Sequence, residues 1–157
     1  EDVNVGINRI FPQILKYPDP ANAEEARFSL PHIVTAAISG ESMSVDTFTE
    51  EKVRDPRLVS QRGKVRTTVH PEWGDAQMGE LNTVTIRTRD GRIFERECRV
   101  ARGDPSNPLT RDELVQRYLG FTANSMTGNG AQASADMLSD LENLKDTADL
   151  MRLYATA

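Results

Sequence analysis

In the stretch "EARFSLPHIVTAAISG", Ser29 and His32 stand one helical turn apart and Arg27 lies just before them. If Ser29 is an N-cap, its hydroxyl accepts a backbone N–H, and Leu30 and Pro31 fill the first turn, where a missing N–H does no harm. His32 then takes the third helical position, beside backbone donors that attract carboxylates and phosphates. Arg27 would add a guanidinium matched to a carboxylate. The same residues also suit a plain capping serine followed by a partly buried polar histidine. Both readings are open on these residues alone.

Other chemistry finds less support. Cys98 is the only cysteine and His32 and His70 the only histidines, so neither an intrachain disulfide nor a zinc site with several thiolates can be assembled, and no metal site is expected. "GNG" at 128–130 lacks the preceding strand and following Lys-Ser/Thr of a phosphate loop. The acidic pairs Glu24-Glu25, Glu50-Glu51 and Asp112-Glu113 fall at helix starts, where negative charge favours the dipole. Turn chemistry accounts for the Gly and Asp of "RGDP".

The elements that must position Ser29 and His32 follow from periodicity. Val3, Val5 and Ile7 alternate with polar residues or glycine, which predicts a half-buried strand. A proline-rich connection, "KYPDPAN", leads to a helix over 30–39 stopped by Gly40. A broken helical stretch follows, with Val45 and Phe48 on one face, and restarts with Asp55 as N-cap and Pro56 in the first turn. "KVRTTV" alternates as a strand, and the loop 71–80 shows no period.

"LNTVTIRTRDGRIFERECRV" is a hairpin turned at Asp90-Gly91. A two-residue loop would scramble its faces, so a bulged three-residue loop is expected, setting Ile86 opposite Phe94 and Asn82 opposite Cys98. Thr110 and Glu113 form a capping box for a helix burying Leu114, Val115, Tyr118 and Leu119. Residues 122–133 read as a flexible linker, and 134–157 as one amphipathic helix with Leu138, Leu141, Leu144, Ala148 and Met151 on a stripe. Strands and helices are segregated, so the expected class is α+β: a mixed or antiparallel sheet of about four strands with helices on one face. The C-terminal stripe would be covered by a second copy, making a homodimer.

The chain has 157 residues, 38% of them apolar, enough for one modest core. Its net charge of −5, with basic residues scattered among acids, argues against a nucleic-acid partner. No apolar run is long enough to span a membrane, and the lone cysteine points to the cytoplasm. Opening inside a strand suggests a piece of a longer protein.

Four blocks together resemble the second half of MmgE/PrpD enzymes: "YPDPANAEEARFSLPHIVTAAISG", "DPRL", the "DGR" hairpin and "RGDPSNPLTRDEL". That family includes 2-methylcitrate dehydratase, cis-aconitate decarboxylase and iminodisuccinate epimerase. The resemblance implies a large helical domain and a smaller α+β lid with the active site between them. Residues 1–121 would be most of the lid. It further implies a small di- or tricarboxylate substrate and proton transfer beside a carboxylate, with no metal or organic cofactor. Arg27, Ser29 and His32 would be the substrate-binding residues, and His32 a possible proton carrier. Family members commonly carry Tyr at the His32 position, and the family's Lys-x-Tyr-Pro-x-Cys-x-x-x-His block should lie upstream of Glu1. The resemblance therefore implies a fragment inactive by itself. A non-catalytic anion-binding or dimerisation module is the alternative.

Overall fold

The computed structural model describes residues 2–74, 81–123, 125–126 and 129–155. The residues form two compact units, Glu1–Asn107 and Pro108–Ala157.

The first unit is built on a four-stranded mixed sheet: β1 (Asp2–Ile7), β2 (Val65–Val69), β3 (Asn82–Arg87) and β4 (Ile93–Cys98), in the order β2-β1-β3-β4. β1 pairs in parallel with β2 and antiparallel with β3. Five short helices lie in the crossover between β1 and β2: α1 (Phe11–Ile14), α2 (Ala23–Ala26), α3 (Leu30–Ile38), α4 (Glu50–Arg54) and α5 (Pro56–Arg62). A parallel pair needs such a long connection. The alternation of β1 puts Val3, Val5 and Ile7 on the helix-covered face, where Leu30 and Val34 of α3 and Val65, Val84 and Ile86 of the sheet pack against them. The α+β class, the mixed sheet and the helix face are as expected from the sequence.

So is the hairpin. Ile86 pairs with Phe94 and Asn82 with Cys98, and Gly91 takes a left-handed φ of 85°. Only glycine adopts that backbone without a Cβ penalty. Asp55 caps α5 through the Arg57 N–H at 2.8 Å, with Pro56 in the first turn. The proline-rich connection 16–22 carries no regular element, as expected; α1 and α2 flank it, with Pro12 in a first turn and Asn22 accepting the Glu25 N–H. One expectation gives way. Val45 and Phe48 fall in a 3₁₀ turn, with Val45 exposed, because a capping box between Ser44 and Thr47 tightens the chain there.

The second unit holds α6 (Arg111–Thr122), α7 (Gly130–Ser139) and α8 (Thr147–Ala155). The Thr110–Glu113 capping box is present. The stretch expected to be a linker is helical from Gly130 onward, and Met126 is buried. Asn124, Thr127 and Gly128 lie outside the described residues. The single C-terminal helix is also corrected. The chain leaves α7 at Asp140, and the Asp146 carboxylate accepts the Ala148 N–H at 2.8 Å, starting a new helix. The expected stripe is thereby cut, Met151 is exposed, and Leu150 is buried instead. The expected buried face of α6 is only partly covered, with Leu114 54% exposed. Around the buried Ser134 this unit gathers a hydroxyl cluster: Tyr118 Oη, half-buried, lies 2.6 Å from Ser134 Oγ and 2.8 Å from the exposed Tyr154 Oη. That hydrogen bond and partial burial raise the Tyr154 phenol above its ordinary range.

Four carboxyls that organise turns titrate below their ordinary values. Asp55 is held down by its bonds from Arg57, Glu72 by a backbone N–H and His70, Asp90 by Thr88 and Asp104 by Ser106. A lowered folded pKa contributes stability above the unfolded value of about 4, and that contribution fades as pH falls through the folded values. The thermal midpoint should therefore decline on acidification below about pH 4. Asp55→Asn retains a good N-cap but removes one titrating group, so its decline should be shallower. Parallel melting curves across that range would reveal any failure of this ordering.

Candidate functional site

Ser29 is the N-cap of α3, its Oγ accepting the His32 N–H at 3.3 Å. Pro31 has no N–H, so of the first turn's donors only that of Leu30 remains for any further acceptor among the described residues. Ser29 and His32 are both 0% exposed, whereas Arg27, at the C-cap of α2, is exposed. The structure joins the serine and histidine and leaves Arg27 outside their contact. In this arrangement the His32 ring is closed to a solute.

Its two nitrogens are engaged by elements far along the chain. Nε2 lies 2.9 Å from the Thr47 carbonyl oxygen, and Nδ1 lies 3.2 Å from Arg62 Nη1. A carbonyl can only accept and a guanidinium can only donate, so Nε2 carries the proton and Nδ1 the lone pair. Arg62 Nη1 also donates to the Val53 carbonyl at 2.9 Å, and Nη2 pairs with Asp19 at 3.3 Å. The Phe48 ring stands 6.0 Å from the imidazole. His32 thereby ties α3 to the 3₁₀ turn, and Arg62 ties it to the ends of α4 and α5. Chemically this is a locked imidazole, held in one tautomer by a cation.

Arg62 went unnoticed in the sequence, though it left a signal. It sits one turn after Leu58, which is fully buried, so a helical face chosen by Leu58 carries Arg62 inward too. The other overlooked group lies on the opposite face of the sheet. His70 and Trp73 stack with ring centroids 3.9 Å apart, over Gly6, while His70 Nδ1 donates to Glu72 at 2.9 Å. Part of the aperiodic loop is thus a built feature; residues 75–80 lie outside the described ones.

The family model of the MmgE/PrpD C-terminal domain matches residues 1–143. The chain belongs to the MmgE/PrpD family. The match runs beyond the block where the motifs end, through α7 and the turn after it. A curated relative is the cis-aconitate decarboxylase of Mus musculus, 23% identical over 142 residues, covering 90% of this chain and 29% of the relative. The chain therefore spans less than a third of that relative's length. For this MmgE/PrpD domain, the block carrying Ser29 and His32 is a structural joint between helices. Among the described residues, no three His, Cys, Asp or Glu side chains come together, and no helix is long and apolar enough to cross a membrane.

Proposed function

We propose that the full-length protein is a cofactor-independent lyase or isomerase of a small di- or tricarboxylate, and that this chain supplies its lid. The observation that carries this reading is the family match across residues 1–143. A relative named for decarboxylating cis-aconitate, a tricarboxylate, supports the substrate class.

Reactions beside a carboxylate need a general acid or base within reach of the reacting carbon. His32 spends both ring nitrogens on Thr47 and Arg62, so it is better suited to hold α3 in place than to carry protons. In this proposal the acid–base groups come from an upstream helical domain. Ser29 and His32 set the position of α3, and exposed Arg27 is the one expected substrate residue open to an anion.

Full-length protein incubated with cis-aconitate, 2-methylcitrate and iminodisuccinate, followed by NMR, should convert one of them without added metal. The 157-residue chain should convert none. Turnover by the chain alone would overturn the lid assignment, and failure of the full-length protein on every polycarboxylate would remove the enzymatic reading.

A further inference from the structure

Asn129 is the only asparagine in the chain that is followed by glycine. It stands just before α7, is exposed, and has φ −88° and ψ 4°. Its backbone carbonyl accepts the Ala133 N–H at 2.9 Å, but its side chain makes no capping bond to the helix. An asparagine in this place ordinarily accepts from the first turn through its side chain. The Gly130 N–H occupies the first helical position, where the helix itself offers no acceptor. An unengaged amide carbon and an unengaged backbone nitrogen are therefore neighbours, with no side chain on Gly130 to come between them. Comparable residues elsewhere are held. Asp90, before Gly91, is bonded by Thr88 and Arg92, and Asn143 donates to Asp140 at 2.7 Å.

Such a pair reacts with itself. The Gly130 nitrogen, on losing its proton, attacks Asn129 Cγ and closes a cyclic imide. The Cγ–Nδ2 bond breaks, and the nitrogen takes up a proton and leaves as ammonia. Water then opens the ring at one of its two carbonyls. Cleavage between the Gly130 nitrogen and Cγ gives an aspartate. Cleavage between that nitrogen and the backbone carbonyl carbon gives an isoaspartyl link, in which the main chain runs through Cβ. At a ψ of 4° the nitrogen is turned away from Cγ, so attack follows a rotation that releases the Ala133 N–H. Helix ends open in this way by fraying, and here no side-chain cap resists it.

We propose that Asn129 is a site of spontaneous deamidation in the folded protein, and that its two products act oppositely on α7. Aspartate places negative charge and a good N-cap at the helix start. The isoaspartyl link instead lengthens the chain by one carbon directly before Gly130. A Cβ on Gly130 would lie 3.6 Å from Met126 Cε, so the helix start rests on this buried methionine. The Met126 sulfur in turn lies 3.9 Å from Ser134 Oγ and 4.0 Å from Tyr118 Oη, and the longer chain disturbs these contacts.

The test ages full-length protein at mildly alkaline pH and follows its tryptic peptide 118–145 by liquid chromatography and fragment mass spectrometry. Asn129 should convert to aspartate and isoaspartate while Asn143, in the same peptide, stays intact. Gly130→Ala, whose methyl fits against Met126, should slow the conversion by at least about tenfold by shielding the nitrogen and firming the helix start. Asn129→Asp should melt no lower than the parent, and the isoaspartyl fraction should melt lower. Conversion only in urea-unfolded protein, or an unchanged rate in Gly130→Ala, would overturn the site. An isoaspartyl fraction that melts with the parent would overturn the effect on α7.

Discussion

Arg62→Ala should destabilise the protein by about 2–6 kcal/mol in urea unfolding, the cost of leaving two buried acceptors unpaired at about 1–3 kcal/mol each. Arg62 is 6% exposed, and its Nη1 serves both His32 Nδ1 and the Val53 carbonyl. Truncation strands both acceptors in a place water does not reach, and it opens a cavity as well. The ion pair to Asp19 is a minor part of this. Asp19 is 85% exposed, so Asp19→Asn should cost no more than about 1 kcal/mol, as surface pairs do. His32→Leu alone should also be severe, because it leaves the Thr47 carbonyl and a guanidinium N–H unpaired. Combining it with Arg62→Met replaces both partners by apolar groups, and the pair should lose less than the sum of the single changes by about 0.5–3 kcal/mol. Strictly additive losses would mean that the His32–Arg62 contact does not hold these helices together. A large loss from Asp19→Asn would move the weight to the surface pair.

Gly6→Val should cost about 1–3 kcal/mol through overpacking and should expose the tryptophan. A Cβ at this position would meet Thr83 Oγ1 at 2.4 Å, Trp73 Cη2 at 2.9 Å and His70 Cδ2 at 3.3 Å. Gly6 lies in β1, between β2 and β3, so the strand has little freedom to shift aside. Thr83 sits directly across the ladder, which leaves the stacked Trp73 and His70 rings as the groups that must yield. Trp73 is the only tryptophan, so its emission reports this site without ambiguity. A red-shifted emission with lowered stability is the expected pair of results. Gly120→Ala is the control: within α6 a Cβ there meets nothing within 4 Å, and stability should rise by as much as about 1 kcal/mol. Unchanged emission in Gly6→Val would show that the rings do not rest on this strand.

What could be read from the sequence alone was local. The Ser29, Asp55 and Thr110 caps and the bulged turn at Gly91 each depend on atoms within a few residues, so spacing and residue type suffice to specify them. Alternation in β1 likewise determined which residues face the core, because side chains in a strand point to opposite faces in turn. The family blocks are equally a property of the linear order. The partner of each element was a tertiary decision. Nothing near Val3 announces its parallel pairing with Val65, and nothing near His32 announces Arg62, thirty positions on. His32 on its own satisfied two descriptions, a helix-end anion site and a buried polar joint. The choice between them rested on whether other chain segments covered the ring, and burial is a property of the packed whole. The C-terminal stripe met the same limit. Periodicity there was compatible with one helix, but a continuous helix needs an apolar surface along its whole length, whereas the Asp146 cap and the packing of Leu150 favoured two shorter ones.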